Sequence, residues 1–462
     1  MCDGSFAVAG PPSCPHPPSM GYAFDNTACR EVPCGMRPAK GDDYMRQRNR
    51  RNIVIAAVVA ACLAIALAVA AVLSPGSPFS TASANVAATH NGAPVGMAPQ
   101  NLPEVTDAAA PRSRTVSVMM VGDVLVHRGV WESGESGGKR DYAHLFANIK
   151  ADAQAADIAI VNQETPLGGE SLGLSGYPMF NGPQEIGDAE VAAGFNVVTR
   201  ATNHSLDAGQ RGIESELAFW RKKHPDTAVL GLADSKKAYD KIYVAEKNGM
   251  RVAILNYTFS TNGIALPSDN PYAVRMLDED LIADDVSRAR KEGKADVVIA
   301  CPHWGTEYQE TPDESQRRWA QVMADAGVDV IIGTHPHVIE PVETVKGSGG
   351  NRTLVFWSLG NFVSTQPTAQ TMVGGMAKVD LRRDSDGTCH VASWELVPVV
   401  TQRLTGHDLT TYRLDAYTDE LASANGINAV QGSVSFSRKW VVDYCAQVLG
   451  DGFDRKSCVL RG

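Results

Sequence analysis

Beyond residue 52 the chain has no block of basic residues. With 42 Lys and Arg against 52 Asp and Glu, its formal net charge is −10. That balance argues against nucleic acid as a partner of the main body, because phosphate backbones are gripped by clustered cations. The four cysteines of the first 35 residues (Cys2, Cys14, Cys29 and Cys34) lack the paired C-x-x-C spacing of a zinc module. The string Ser358-Leu359-Gly360-Asn361-Phe362 ends an apolar run with a glycine, but no Gly-Lys-Ser/Thr follows, so it is not a P-loop. No internal repeat is present. No Lys or Arg lies between Arg51 and Arg112, and residues 53–73 hold no charge at all.

That last absence is informative. A run of about 20 apolar residues spans a bilayer core as a helix. Arg46, Arg48, Arg50 and Arg51 stand immediately before it. The positive-inside rule then places residues 1–52 in the cytoplasm and the main domain outside the cell membrane, as a single-pass protein. A cleaved signal peptide is the rival reading. The long leader and a run longer than an ordinary signal core favour an uncleaved anchor. Cys301, Cys389, Cys445 and Cys458 fall on the outer side, where disulfides are permitted, and Cys445 with Cys458 would close a small loop.

Residues 1–45 are rich in Pro, Gly and small side chains and read as a disordered cytoplasmic tail. Residues 46–73 are the basic flank and transmembrane anchor, and 74–114, rich in Ala, Ser, Pro and Asn, form a flexible tether. The folded domain is expected over 115–400. There, apolar runs at 116–121, 158–161, 196–199, 252–257, 297–300, 330–332 and 354–358 alternate with amphipathic stretches at 209–223, 281–291 and 314–326. Near-continuous apolar strands alternating with helices predict an α/β fold with sheets covered on both faces. Segments 376–381 and 390–397, joined by a turn at Asp386-Gly387, read as a hairpin. Residues 401–462, with a helix at 437–448, read as a C-terminal appendage.

What the strands deliver is chemistry. Asp123 follows the first run, Asn162 and Glu164 the second, Asn203 and His204 the third. His303 and Glu307 follow another, and His335 and His337 the next. In open α/β sheets functional groups collect at the carboxyl ends of the strands. Parallel, neighbouring strands would bring these donors to one edge, within the roughly 2 Å ligand distances of a divalent metal. His335 and His337, two apart in an extended segment stiffened by Pro336, would point the same way. Six or more donors exceed one tetrahedral site, so two metals are expected, an arrangement that activates a water and clamps a phosphoryl oxygen. His204 is then free to protonate a leaving group. Asp207 reads as the cap of the 209–223 helix, and Glu307 as a support for His303 or a purely structural residue. His127, His144, His224, His390 and His407 read as ordinary hydrogen-bonding histidines. Cys301 reads as a buried strand residue rather than a nucleophile, and Asn361 as a residue that can line the site.

The ordered set GDVLVHRG, NQETPLGG, ATNHSLDAG, PHWGTEY, GTHPHVIEPVE and SLGNF resembles the CapA family of bacterial capsule (poly-γ-glutamate) synthesis proteins over about residues 115–365. The resemblance implies a metallophosphatase-like sandwich of two mixed sheets flanked by helices, here preceded by one transmembrane helix. It implies Asp123 as the first acidic ligand, Glu164 as a bridging carboxylate and Asn203 as the amide ligand. His303, His335 and His337 are the implied imidazole ligands and His204 the acid/base. Two departures stand out: Leu125 occupies the place of the usual first-motif His, and Asn162-x-Glu164 replaces the usual Gly-Asp.

The implied cofactors are two divalent ions (Mn, Fe or Zn). The implied role is poly-γ-glutamate capsule or related envelope-polymer synthesis and export, with membrane subunits of a polymer synthase as partners. The implied chemistry is a metal-dependent, phosphoesterase-like hydrolase acting on an anionic polymer or a phosphoester. The alternatives are a non-catalytic assembly subunit of the synthase and a glutamyl-bond hydrolase acting on the polymer.

Overall fold

The computed structural model describes residues 114–403, 409–430, 432 and 434–462. The tail, the candidate span and all but the last residue of the tether lie outside the described residues, as does His407. Among the described residues no helix is long and apolar enough to cross a membrane.

Two sheets form the body. The first is built on four neighbouring parallel strands: β1 (Arg114–Val124), β2 (Ile158–Gln163), β3 (Val197–Thr199) and β4 (Ala228–Leu230). The second contains β5 (Tyr243–Lys247), β6 (Met250–Thr258), β7 (Val297–His303), β8 (Val330–Ile332), β9 (Val342–Lys346) and β10 (Arg352–Phe356). Its central four, β6, β7, β8 and β10, are parallel, and β5 and β9 close its edges antiparallel. β11 (Asn361–Val363) then returns to the first sheet, parallel to β1. Antiparallel β12 (Val373–Arg383) and β13 (Cys389–Arg403) extend that sheet.

The strands read as continuous apolar runs because both faces of each are covered. Val116, Val118 and Met120 of β1 pack with Ile158, Ile160 and Val197 against Val252, Ile254, Val297, Ile299 and Ile332 of the other sheet. The alternate residues Met119, Val121, Ala159, Val161 and Val198 turn to helices α1 (Glu185–Ala193) and α2 (Gly209–Lys223) through Ile186 and Trp220. Ala253, Leu255, Val298 and Ile331 turn the other way, to α3 (Glu279–Lys291) and α4 (Glu314–Ala326). The order of layers is therefore helix, sheet, sheet, helix. α4 is fixed at both ends, by a capping box between Asp313 and Gln316 and by Gly327 in the left-handed region (φ 95°).

Two expectations need correction. The strand-end reading alone put the donor-bearing strands side by side in one sheet; they divide instead between two mixed sheets flanked by helices, as the family resemblance implies, so the site lies where two sheet edges meet. The segment from 401 onward is also no appendage. β14 (Leu409–Arg413) and β16 (Val459–Arg461, itself paired with β15, Phe453–Asp454) both bond to β13. Side chains of α5 (Arg438–Leu449), among them Val441 and Cys445, share the inter-sheet core. Its apolar positions were visible in sequence, but a partner contributed by β13 was not. Cys445 and Cys458 are both buried with free thiols.

Candidate metal centre

The first sheet delivers oxygen donors. β1 and β2 run in register up to Val121 opposite Val161. The register then slips, and Asp123 pairs with Asn162. Gly122 marks the slip for a steric reason: a Cβ there would sit 1.9 Å from the Gly360 carbonyl oxygen. Gly333, at the end of β8, is in the same position relative to Trp357, whose carbonyl oxygen would lie 2.1 Å from its Cβ. The Ser358–Asn361 segment thus threads between the two sheet ends. Asp123 N–H donates to Gly360 O (2.9 Å) and Leu359 N–H to Gly333 O (3.0 Å). Two glycines and one backbone segment lock the sheets at the edge where the donors emerge.

Glu164 is the hub. It is fully buried, and neither carboxylate oxygen has a hydrogen-bond partner. Its oxygens lie 3.8 Å from His303 Nε2, 3.8 Å from His204 Nε2 and 3.7 Å from His337 Nδ1. Two groups of donor atoms, each within 4.8 Å of one another, share it: Glu164 with His303 and His335, and Asp123 with Glu164 and His337. Asn203 Oδ1 sits 3.0 Å from His303 Nε2 and so belongs beside the first group. Asp123 Oδ2 lies 3.1 Å from His337 Nδ1 and accepts from the His335 N–H, while its Oδ1 accepts from Asn162 (2.8 Å). All six residues expected to face a metal converge here.

The supporting residues are partly new. His335 and His337 are not extended as expected. Both have positive φ, 103° and 62°, which costs a non-glycine residue of order 1–3 kcal/mol and aims the two rings at different groups. Thr334 Oγ1, not Glu307, meets His303 Nδ1 (3.0 Å), and Glu307 is exposed. Asp207 does not cap α2. Its Oδ2 bonds His204 Nδ1 at 2.6 Å and accepts the Phe180 N–H, leaving His204 Nε2 turned to the centre. Asn361 donates through Nδ2 to Ser364, Gln366 and Thr371, which points Oδ1 at His337 Nδ1 (3.1 Å). Arg200, wholly buried and paired with Glu216, donates to the carbonyls of Gln163 and Glu164 and holds the hub's backbone. His127 stands apart from both groups, accepting from the Thr365 N–H. Cys301 faces the inter-sheet core, where burial pushes its thiol up to about 12.

The electrostatics are those of a site for cations. Burial drives Glu164 well above the ordinary carboxylate range, with His337 opposing and Asp123 reinforcing the shift. Burial and the neighbouring imidazoles hold His303 and His335 well below the usual histidine range, neutral with lone pairs available. His337 is held up at about 9: burial opposes the charge, but Glu164 and Asp123 outweigh it. A buried carboxyl group with two orphaned oxygens, beside the neutral imidazoles of His303 and His335 and an amide oxygen, is satisfied by divalent cations more completely than by any group of the chain. The donor set fits.

A family model described as bacterial capsule synthesis protein PGA_cap matches residues 117–366. The PGA biosynthesis protein CapA of Bacillus subtilis (strain 168) is 31% identical over 281 residues, 60% of this chain and 70% of that protein. The capsule biosynthesis protein CapA of Bacillus anthracis is 29% identical over 313 residues, 64% and 71% of the two chains. Among solved structures, the calcineurin-like phosphoesterase YfkN of Bacillus subtilis aligns with 62% of this chain and 90% of its own at 15% identity. Its TM-score is 0.37, too loose a superposition to bear on the site. The family match takes in more than half of the chain and every strand end that builds the cluster, so this protein belongs to the bacterial capsule synthesis (PGA_cap) family.

Proposed function

We propose that this is a membrane-anchored, outward-facing protein of capsule or related envelope-polymer synthesis that carries a two-metal phosphoester hydrolase site. The observation that supports the catalytic half most is Glu164, an unpartnered buried carboxylate shared by two donor groups. Asp123, His337 and Glu164 would hold one divalent ion; Glu164, Asn203, His303 and His335 the other. Bound there, such a pair supplies Lewis acidity toward a phosphoryl oxygen and lowers the pKa of a water.

The chain's own residues do the rest. The Asp207 carboxylate fixes the proton of His204 on Nδ1, so Nε2 faces the centre. When protonated, Nε2 can donate to a departing oxygen; when neutral, it can accept a proton from the attacking water. Asn162 orients Asp123, and Thr334 orients His303. Burial of the whole cluster keeps bulk water from screening these charges. The uncharged run at 53–73 and the arginines before it support the anchor and its orientation.

The test uses the full-length chain purified in detergent, with metal analysis and a panel of phosphoesters. Bound Mn, Fe or Zn together with turnover is expected. His204→Ala should keep the metal and lose turnover by about 10²- to 10⁴-fold, the usual contribution of an acid/base group. A folded, metal-loaded protein that hydrolyses none of the panel, in cells where His204→Ala leaves polymer output intact, would favour the assembly-subunit reading instead.

A further inference from the structure

Among the described residues, five large apolar side chains are exposed: Tyr177 (78%), Met179 (46%), Phe259 (41%), Tyr308 (54%) and Val434. Four of the five belong to segments that border the metal centre. The Phe259 ring lies 4.8 Å from that of His335, and the Tyr308 ring 6.1 Å from that of His337. Tyr177 stands 6.3 Å from Phe180, which itself lies edge-on to His204 at 4.8 Å. Met179 is in the same loop. Burial first, then Glu307, push the Tyr308 phenol up to about 12, with Glu164 and Tyr177 adding to the shift.

The rings are also held. Phe259 N–H donates to His303 O (3.1 Å), Tyr308 N–H to Pro336 O (2.8 Å), and Gln366 Nε2 to the Tyr308 hydroxyl (3.3 Å). Phe259 and Tyr308 are therefore anchored at the metal donors or the residues beside them, while Tyr177 is held by its ring contact with Phe180.

Charge at this mouth runs against a polyanion. Glu307 is exposed on the rim, and its charge is felt by Glu164 and His337. Arg200, whose charge also lowers His303, is buried beneath the site and paired with Glu216. Arg128, close to the Tyr177 loop, is turned to Glu132. Arg403, whose charge is felt by His127, donates to Thr365 O (3.4 Å). With Glu307 on the rim beside them, the exposed ring faces suit an uncharged ring packed face-on better than a string of carboxylates.

We infer that Phe259, Tyr308 and Tyr177 form a ring-binding subsite, and that the substrate is a phosphoester whose flanking group is an uncharged ring, either aryl or sugar. This rests on the phosphoester reading for what sits at the metals, and adds what lies beside them.

Binding of non-hydrolysable phosphonates to the Mn-loaded full-length protein, followed by calorimetry, tests it without requiring turnover. Phenylphosphonate and the methylene phosphonate analogue of glucose 1-phosphate are the ring probes, with ethylphosphonate as the ringless control. At least one ring probe should bind about tenfold tighter than ethylphosphonate, as one good aromatic contact provides. Which one does so separates aryl from sugar. The advantage should vanish in F259A/Y308A, whose exposed positions leave the fold intact by circular dichroism. Equal binding of all three, no binding of any, or an advantage that survives in the variant overturns the subsite. Absence of phosphoester turnover alongside ring-selective binding would instead count against the hydrolase reading alone.

Discussion

The two sheets contribute to the centre in unlike ways. The first gives oxygen: Asp123, Glu164 and Asn203, with Asn162 behind them. The second gives nitrogen: His303, His335 and His337. Oxygen donors come off strands whose ends are braced by buried side chains such as Arg200 and Thr199, which hold Glu164's backbone and Asn162's amide. Two of the three nitrogen donors come off a turn with left-handed backbone, which only surrounding structure can impose. Neither half is a site alone. A mixed carboxylate–imidazole set for borderline divalent ions arises only when the sandwich closes.

The largest expected effect comes from breaking the one residue both donor groups share. Glu164→Ala should strip both ions and lower turnover by about 10³-fold or more, because a two-metal clamp loses both of its functions together. Asp123→Ala, on the oxygen side, and His303→Ala, on the nitrogen side, should each leave about one ion bound. Metal content per chain by inductively coupled plasma mass spectrometry reads this directly. Equal, complete loss in all three variants would mean that the groups are one site, not two joined by a bridge.

That asymmetry also explains what the sequence disclosed. Every donor stands at the end of an apolar run, so Asp123, Glu164, Asn203, His303, His335 and His337 were legible from position and residue type. The three helices at 209–223, 279–291 and 314–326 were legible from their apolar spacing, to within two residues. Partners chosen by tertiary contact were not. Asp207 has the sequence context of a helix cap, yet its carboxylate bonds His204 three positions away. Only the H-x-x-D spacing hinted at this. Thr334 displaced Glu307 because the residue beside the ligand at the end of β8, not the one following His303, faces the ring. The division of the strands between two sheets came from the family resemblance; apolar runs carry no record of which neighbour they pair with.

The joint between the sheets is the next place to break the comparison. Gly122→Ala would drive a methyl group into the Gly360 carbonyl, and Gly333→Ala one into that of Trp357. Both obstacles are backbone and cannot rotate away. Each substitution should cost about 3 kcal/mol, at the upper end for overpacking. Gly349→Ala, whose Cβ would meet nothing nearer than 3.5 Å, should stay within about 0.5 kcal/mol of the parent. Chemical denaturation gives the stabilities, and metal content in the folded fraction sharpens the reading. If the thread aligns the two halves, Gly122→Ala loses metal affinity even where it remains folded. Unchanged stability would show that Ser358–Asn361 yields and does not lock the edge.

The smallest effect separates a carboxylate used for metal from one used for structure. Glu340 follows the His335–His337 turn. It is buried, accepts from Gln316 Nε2 at 2.6 Å through one oxygen, and has no partner on the other. Burial pushes it up to about 8, with Gln316 opposing. Its pKa is raised on folding, so the folded state holds a proton that the unfolded chain releases near 4.5. The group's contribution is complete below that value and declines as pH rises toward 8. Between pH 5 and pH 7 the parent should lose about 2 kcal/mol from this residue. Glu340→Gln keeps the shape and the Gln316 contact but cannot ionise, so its stability should gain on the parent's by that amount over the same interval. Denaturant midpoints of the two proteins, measured at both pH values in metal-free buffer, give the difference. A gap that is constant with pH would mean that Glu340 is ionised in the folded protein. The nitrogen-donating turn would then rest on a charged carboxylate, as the oxygen side does at Glu216.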